Sequence, residues 1–357
     1  MVNVFEKALQ TALERGDAVF AWSERGRDRL GEGVLRTFSG RPGSGPWVGW
    51  PGQPSPVSAL ATPTTRSVPP TIESRSAWQA RVAAAEAACR AGHFAKVVPA
   101  RVQAFAPPAG HRFDPLATFR ALRDRHPDEV VFLVGAGTRW FLGASPEVLA
   151  RVEGGILTTH ALAGTRPKPL DPKEIPACAA ALLAADKDRR EHALVVADLA
   201  ERLAPVCSEL VIEPTPRVRE LPELLHLETP VQGRLRPEVG VLDVVALLHP
   251  TPALGGRPRE AALAWLAAHE PFDRGAYGAP LGFTTSRNDG VFCVAIRSVL
   301  MTPEGAWAYA GAGVVAGTDP AAEWAETEAK LGTVARALRT TRAPAAHAGR
   351  ALEAVTR

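Results

Sequence analysis

Cysteine is scarce in this chain, and its four copies, Cys89, Cys178, Cys207 and Cys293, stand far apart. No CxxC pair occurs, which excludes a zinc knuckle or a dithiol redox motif written in local sequence. Sparse, unpaired cysteines suit a reducing compartment, so a cytoplasmic protein is expected. Charge of one sign is missing as well: 41 Lys and Arg against 38 Asp and Glu leave a net +3. So small and scattered an excess gives no warrant for a nucleic-acid partner. Long apolar runs are absent. No stretch approaches the length that spans a bilayer, and the first twenty residues lack an apolar core followed by a small-residue cleavage site. Neither membrane insertion nor a signal peptide is expected.

What remains is a chain of 357 residues, 46% hydrophobic and 22% charged, able to bury a sizeable core. Residues 1–39 allow a short helix and a strand or two. Gly40–Pro70 is rich in Gly, Pro and Ser and reads as loop or loosely ordered edge structure. Order resumes at Ser76, a candidate N-cap for an Ala-rich helix. "AKVVPARVQAF" reads as a strand carrying Lys96, with Pro99 marking an edge or a bulge. Asp114 caps the next helix. Residues 129–162 then alternate β-rich runs with turn signals, the pattern of antiparallel hairpins. Residues 174–204 are predicted helical with a split near Ala185–Asp186. A strand at "CSELVIEP", helices near 240–248 and 258–268, three strands (about 280–286, 291–301 and 305–313) and a helix from Pro320 to Arg339 complete the chain. Hairpins with helices grouped between them indicate an α+β fold built on antiparallel sheets. Three regions are expected: an N-terminal segment, 1–75, that contributes to the first sheet, a catalytic domain, 76–340, and a frayed tail, 341–357.

The segment "AGAGVVAGTDPAAEWAETEAKL" places Gly311, Gly313 and Gly317 after a strand, like a dinucleotide loop. Antiparallel neighbours, the absence of a following strand with a ribose-binding acid, and the negative charge of Glu323 and Glu326 all oppose that reading. Glu323, Glu326 and Lys330 share one helix face by their spacing of three and four. On an arbitrary helix this is a solvated face. Beside a glycine loop with exposed N–H groups it suggests a hard cation bridging protein and an acidic substrate. Asp188, Glu191 and Asp198 form a second acidic stripe, in "DKDRREHALVVADLAERL", that by itself reads as another wet face.

Taken in order, "AKVVPAR", "FLGASPEVL", "LAGTRP", "DKDRREHALVV", "HLETPVQG", "LLHPTPALGGRPR", "EPFDRGAYGAPLGF", "VAIRS" and the glycine-glutamate segment cover roughly Ser76 to Leu338. Together these blocks resemble the chorismate-utilising enzymes, and among them the isochorismate synthases. The resemblance implies two large antiparallel β-sheets packed as a sandwich and flanked by helices, with the active site between them. It also implies Mg²⁺ as cofactor and chorismate as substrate. By match of motif, Glu191 and Glu326 are metal ligands and Glu323 lies near the ion. Arg297 and Lys330 hold substrate carboxylates, and Gly164, Thr165, Thr229 and the backbone of Gly311, Ala312 and Gly313 line the pocket. Lys96 corresponds to the lysine that activates water, which requires its pKa to fall, and Glu147 corresponds to the general acid. The residue-level alternatives are an exposed strand lysine and a helix or turn N-terminal carboxylate. His226 corresponds to a pocket histidine that orients the leaving hydroxyl, or else is a core histidine bonded to backbone.

The resemblance also orders the reactions. Ammonia-using relatives carry glutamine at the place of Lys96 or lysine at the place of Ala163, so water is the expected nucleophile and no amidotransferase subunit is expected. The "DRGAYGAP" block is more like the menaquinone-pathway branch than the siderophore branch. Salicylate synthases share the lysine and go on to eliminate pyruvate, so they remain an alternative. A non-catalytic chorismate-binding relative would have lost Lys96 or Glu147, and neither is lost. Two departures stand out: Pro99 occupies a usually aliphatic position, and the segment before Lys96 is short.

Overall fold

The structure, a computed structural model, describes residues 71–284 and 288–342 and, before them, residues 10, 11, 15, 19–24, 27–32, 34–37 and 46–49. The β-rich runs pair into two seven-stranded antiparallel sheets. The first has the order β2 (Arg27–Glu32), β1 (Val19–Glu24), β8 (Val130–Ala136), β9 (Arg139–Ser145), β18 (Ser298–Thr302), β19 (Gly305–Gly311) and β6 (Ala100–Phe105). The second runs β12 (Cys207–Ile212), β14 (Leu224–Leu235), β11 (Ile156–Pro167), β10 (Val148–Glu153), β17 (Gly290–Val294) and β16 (Pro280–Thr284), with β13 (Arg217–Glu220) also on β14. Short pairs join β3 (Val34–Thr37) to β4 (Pro46–Gly49), β5 (Lys96–Val97) to β15 (Gly256–Arg257), and β7 (His111–Phe113) to β20 (Thr340–Arg342).

The strand β8 shows why its sequence is apolar throughout. Val131 and Leu133 face a core shared with the helices α2 (Pro115–Arg125) and α7 (Pro320–Ala335). Val130, Phe132 and Val134 face the opposite way, onto Leu281, Phe283 and Val291 of the second sheet. Both faces of the first sheet are therefore covered, and each buried Phe or Leu contributes about 1.5–3 kcal/mol. The outer face of the second sheet is closed by α4 (Asp186–Leu203) and α5 (Val241–Leu248), through Val195, Leu199, Leu203, Val241, Val244 and Val245. The remaining helices are α1 (Arg75–Arg90), α3 (Ile175–Ala184) and α6 (Arg259–His269). The architecture is the expected sandwich of antiparallel sheets flanked by helices.

Several local expectations are corrected. Ser74, not Ser76, caps α1: its Oγ accepts from Ala77 N at 3.2 Å, and Ser76 lies inside the helix. The Lys96 segment is two strands, broken at Val98–Pro99 because proline offers no ladder donor. The closing β region has four strands rather than three, since the backbone turns at Arg297, whose φ is 51°. The last helix ends at Ala335, and Thr340–Arg342 pairs with β7 instead of fraying. Within the Gly/Pro-rich stretch, Pro46–Gly49 forms β4. The rest of that stretch, most of the helix expected near the N-terminus, and residues 343–357 of the tail lie outside the described residues.

Candidate active site

Four local devices carry the candidate residues to one place. The first is the break at Pro99. It separates β5 from β6 as strands; Val97 still bridges Val314, in line with the β6–β19 ladder, and β5 also pairs with β15, so that Lys96 lies opposite Arg257 with its side chain fully buried. The second is the turn Ser145–Pro146–Glu147 between β9 and β10, which passes from one sheet to the other. There Ser145 Oγ donates to Val294 O at 2.6 Å, and Glu147 is buried, 6% exposed. The third is a bulge in the long β11–β14 ladder at Gly164, whose φ of +78° suits glycine. It sets Thr165 directly across from His226. The fourth is the left-handed turn at Arg297, which leaves that guanidinium buried.

The helices α4 and α7 add the carboxylates. The stripe Asp188, Glu191 and Asp198 is buried, not wet. Lys96 Nζ lies 3.0 Å from Glu191 Oε1, a buried ion pair. Gly313 faces the same carboxylate: a Cβ there would lie 1.9 Å from Glu191 Oε1. This glycine therefore serves close approach to the glutamate. Lys187 Nζ stands between two carboxylates, 3.3 Å from Glu191 Oε2 and 2.9 Å from Glu323 Oε1. On α7, Lys330 pairs with Glu326 and donates to Gly311 O at 2.9 Å.

These contacts set the charges. Burial pushes Glu191 upward, but the ammonium groups of Lys96 and Lys187 outweigh it and hold the carboxyl well below its usual range. Glu323 is pushed up by burial and then by the like charge of Glu326, only partly offset by Lys187. Its Oε2 is buried and has no hydrogen-bond partner among the described residues. Desolvation acts against the Lys187 ammonium, yet Glu191, Glu323 and Glu326 raise it well above the ordinary lysine value. Glu147 is raised to about 7 by burial, against the weaker pull of its bond from Thr251 Oγ1 (3.3 Å) and of Lys96, Arg297 and Lys330. The field of all three cations thus reaches this one carboxyl.

The two histidines resolve into fixed tautomers. Burial, followed by Arg297 and Lys330, holds His226 well below its usual value, so the ring is neutral. Arginine can only donate, so Arg297 Nη2 donates to His226 Nε2 at 3.0 Å and the proton sits on Nδ1, toward Thr165 Oγ1 at 2.9 Å. Both ring nitrogens are therefore engaged, and the ring orients Arg297. His192, which the sequence did not single out, bonds Ala163 O and takes the hydroxyl proton of Thr229 at 2.7 Å. Thr229 is thereby turned toward α4. Ala312 also departs from its expected place: its N–H donates to Pro99 O at 3.0 Å, and its side chain packs in the core beneath α1. Tyr277, likewise missed, is buried with its hydroxyl beside Gly311. Its signal was present in the "RGAYGAP" block.

Among the described residues no three His, Cys, Asp or Glu side chains converge at metal-ligand distance. The donors nevertheless suit a hard divalent cation: Glu191, Glu323 and Glu326 offer only carboxylate oxygens, one of them buried with no hydrogen-bond partner among the described residues. The Lys187 ammonium lies between two of them.

Residues 55–339 match the chorismate binding enzyme family, which is most of the chain. The chain belongs to that family. It is 42% identical over 266 residues to the salicylate biosynthesis isochorismate synthase of Pseudomonas aeruginosa, covering 74% of this chain and 55% of that protein. It is 35% identical to the isochorismate synthase MenF of Bacillus subtilis, over 61% of this chain and 46% of that one. The chain thus spans about half the length of these two relatives. Its fold matches that of MenF, the menaquinone-specific isochorismate synthase of Escherichia coli, with a TM-score of 0.70 at 25% identity, over 94% of this chain and 82% of that one.

Proposed function

We propose that this chain is an isochorismate synthase that adds water at C2 of chorismate with loss of the C4 hydroxyl. The observation that carries the reading is the pairing of a fully buried lysine with a buried carboxyl raised to about 7 in one site. Lys96, once it has released its own proton to become the neutral amine, takes a proton from water as the water oxygen bonds to C2, the ring double bond shifts, and the C4–O bond breaks. Glu147, protonated below about 7, gives its proton to the departing hydroxyl. Water enters and water leaves, so substrate and product are isomers. Arg297, aimed by His226, and Lys330 bind the substrate carboxylates, while Gly164, Thr165 and the backbone of Gly311 and Gly313 shape the pocket.

Glu191 and Glu326, with Glu323 beside them, are the residues that would hold Mg²⁺. Bound there, the ion neutralises and orients a substrate carboxylate. A cytoplasmic reaction without an amidotransferase subunit is part of the proposal, since Lys96 and Ala163 stand where ammonia-using relatives differ and the four cysteines are unpaired. The relatives' names divide between salicylate and menaquinone pathways, so the menaquinone assignment rests on the "DRGAYGAP" block alone.

Incubation of the purified chain with chorismate, with and without Mg²⁺, tests the reading by chromatography of the products. Isochorismate formed only with Mg²⁺ is expected. Salicylate with pyruvate would move the chain to the lyase-type relatives, and unconsumed chorismate would leave a binding protein.

A further inference from the structure

The break at Pro99 frees backbone groups beside Lys96, and buried charged side chains take them up. Arg274 Nη2 donates to Val98 O at 2.6 Å and its Nη1 to Leu254 O at 3.1 Å. Glu270 Oε1 accepts from Ala100 N at 2.7 Å. The two side chains are bound to each other through Arg274 Nε (2.8 Å) and Nη2 (2.7 Å), and they are 6% and 10% exposed. Arg81 Nη2 completes the set by donating to Ala100 O at 2.8 Å.

We propose that Glu270 and Arg274 are positioning residues for Lys96. The pair bonds the Val98 carbonyl and the Ala100 N–H, while Val97 and Pro99 O bond Val314 and Ala312, and so it fixes the segment that carries the lysine. The geometry is specific to a guanidinium. One planar fork must reach two carbonyls on different segments and two carboxylate oxygens at once, which an ammonium cannot do. Neither residue makes a described hydrogen bond or ion pair with Lys330, Arg297 or Glu326.

The inference rests on the isochorismate synthase reading, and its test separates the two. Arg274→Met and Glu270→Gln are expected to lower kcat about 10- to 100-fold with KM for chorismate changed less than about threefold, the signature of a misplaced reacting group. Arg274→Lys should recover part of the loss. The second measurement does not use turnover: lysines are labelled with acetic anhydride and read by peptide mass spectrometry. Lys96 is expected to label at least about threefold faster in the variants, because local opening exposes it, while Lys330 is unchanged. A folded variant with wild-type kcat and wild-type Lys96 labelling overturns the proposal. Should Arg274→Met fail to fold, Arg274→Lys carries the same two measurements. If the wild-type chain does not convert chorismate, the synthase reading falls and the labelling result alone decides the positioning role.

Discussion

Glu147 and Glu191 are equally buried, each 6% exposed, yet their carboxyl groups are shifted in opposite directions. Glu191 has two ammonium groups within 3.3 Å and stays ionised. Glu147 has one hydroxyl at 3.3 Å and only the distant field of three cations, so burial wins and its carboxyl rises to about 7. Depth alone does not decide the role of a carboxylate. Distance to the nearest cation does, because the charge interaction falls off within a few ångströms while desolvation depends on burial.

The sharpest way to break the contrast is to remove the ionised member. Glu191→Gln leaves Lys96 without its carboxylate partner and Lys187 with Glu323 alone, and takes away a proposed metal ligand. Mg²⁺-dependent turnover should be lost, and calorimetry should detect no Mg²⁺ binding; a variant that still binds the ion normally would remove Glu191 from the ligand set. Glu147→Gln should lower kcat about 10²- to 10⁴-fold, the range of a lost general acid. In the wild type, kcat/KM should decline as pH rises through about 7, where Glu147 of the free protein loses its proton. An unaltered profile between pH 6 and 8 would place the acid elsewhere.

Smaller effects concern stability. Glu147 has a folded-state pKa above its ordinary 4.5, so the folded chain retains a proton that the unfolded chain has released between 4.5 and about 7. Stability from this group is full below 4.5 and declines as pH rises through 7, by roughly 3 kcal/mol at most. Urea unfolding at pH 5 and pH 8 should show this decline in the wild type and less of it in Glu147→Gln. The smallest effect is expected at Lys187, whose ammonium stands between Glu191 and Glu323. Lys187→Met should tighten Mg²⁺ binding by about tenfold, since a competing cation is gone. Weaker binding would mean that Lys187 assists the site.

Much of the fold was legible because it depends on local signals. Asp114 and Asp319 accept from the first-turn N–H groups of their helices, and the split at Ala185–Asp186 falls where the pattern put it. The misreadings share a different cause. Ser74 and Ser76 are both competent caps, and the choice between them depends on where the chain enters the helix. The turn at Arg297 has no glycine or proline to announce it. The acidic stripe of α4 is chemically a surface stripe until α7 and β5 cover it. In the site, motif order brought Lys96, Glu147, Glu191, Glu323, Glu326, Arg297 and Lys330 to notice. It could not show that Ala312 and Thr229 turn their polar groups toward neighbours, or that His192, Tyr277, Glu270 and Arg274 stand behind the pocket.

The sequence by itself determined most of the helices and strands and the break at Pro99, because hydrophobic period, capping and proline act within a few residues. It also determined which side chains are available for chemistry. Only the tertiary structure decided which carboxylates keep their charge, which histidine nitrogen carries the proton, and how a strand broken by Pro99 still holds Lys96 in place. Those outcomes depend on distances of about three ångströms between segments far apart in the chain, and no local pattern encodes such distances.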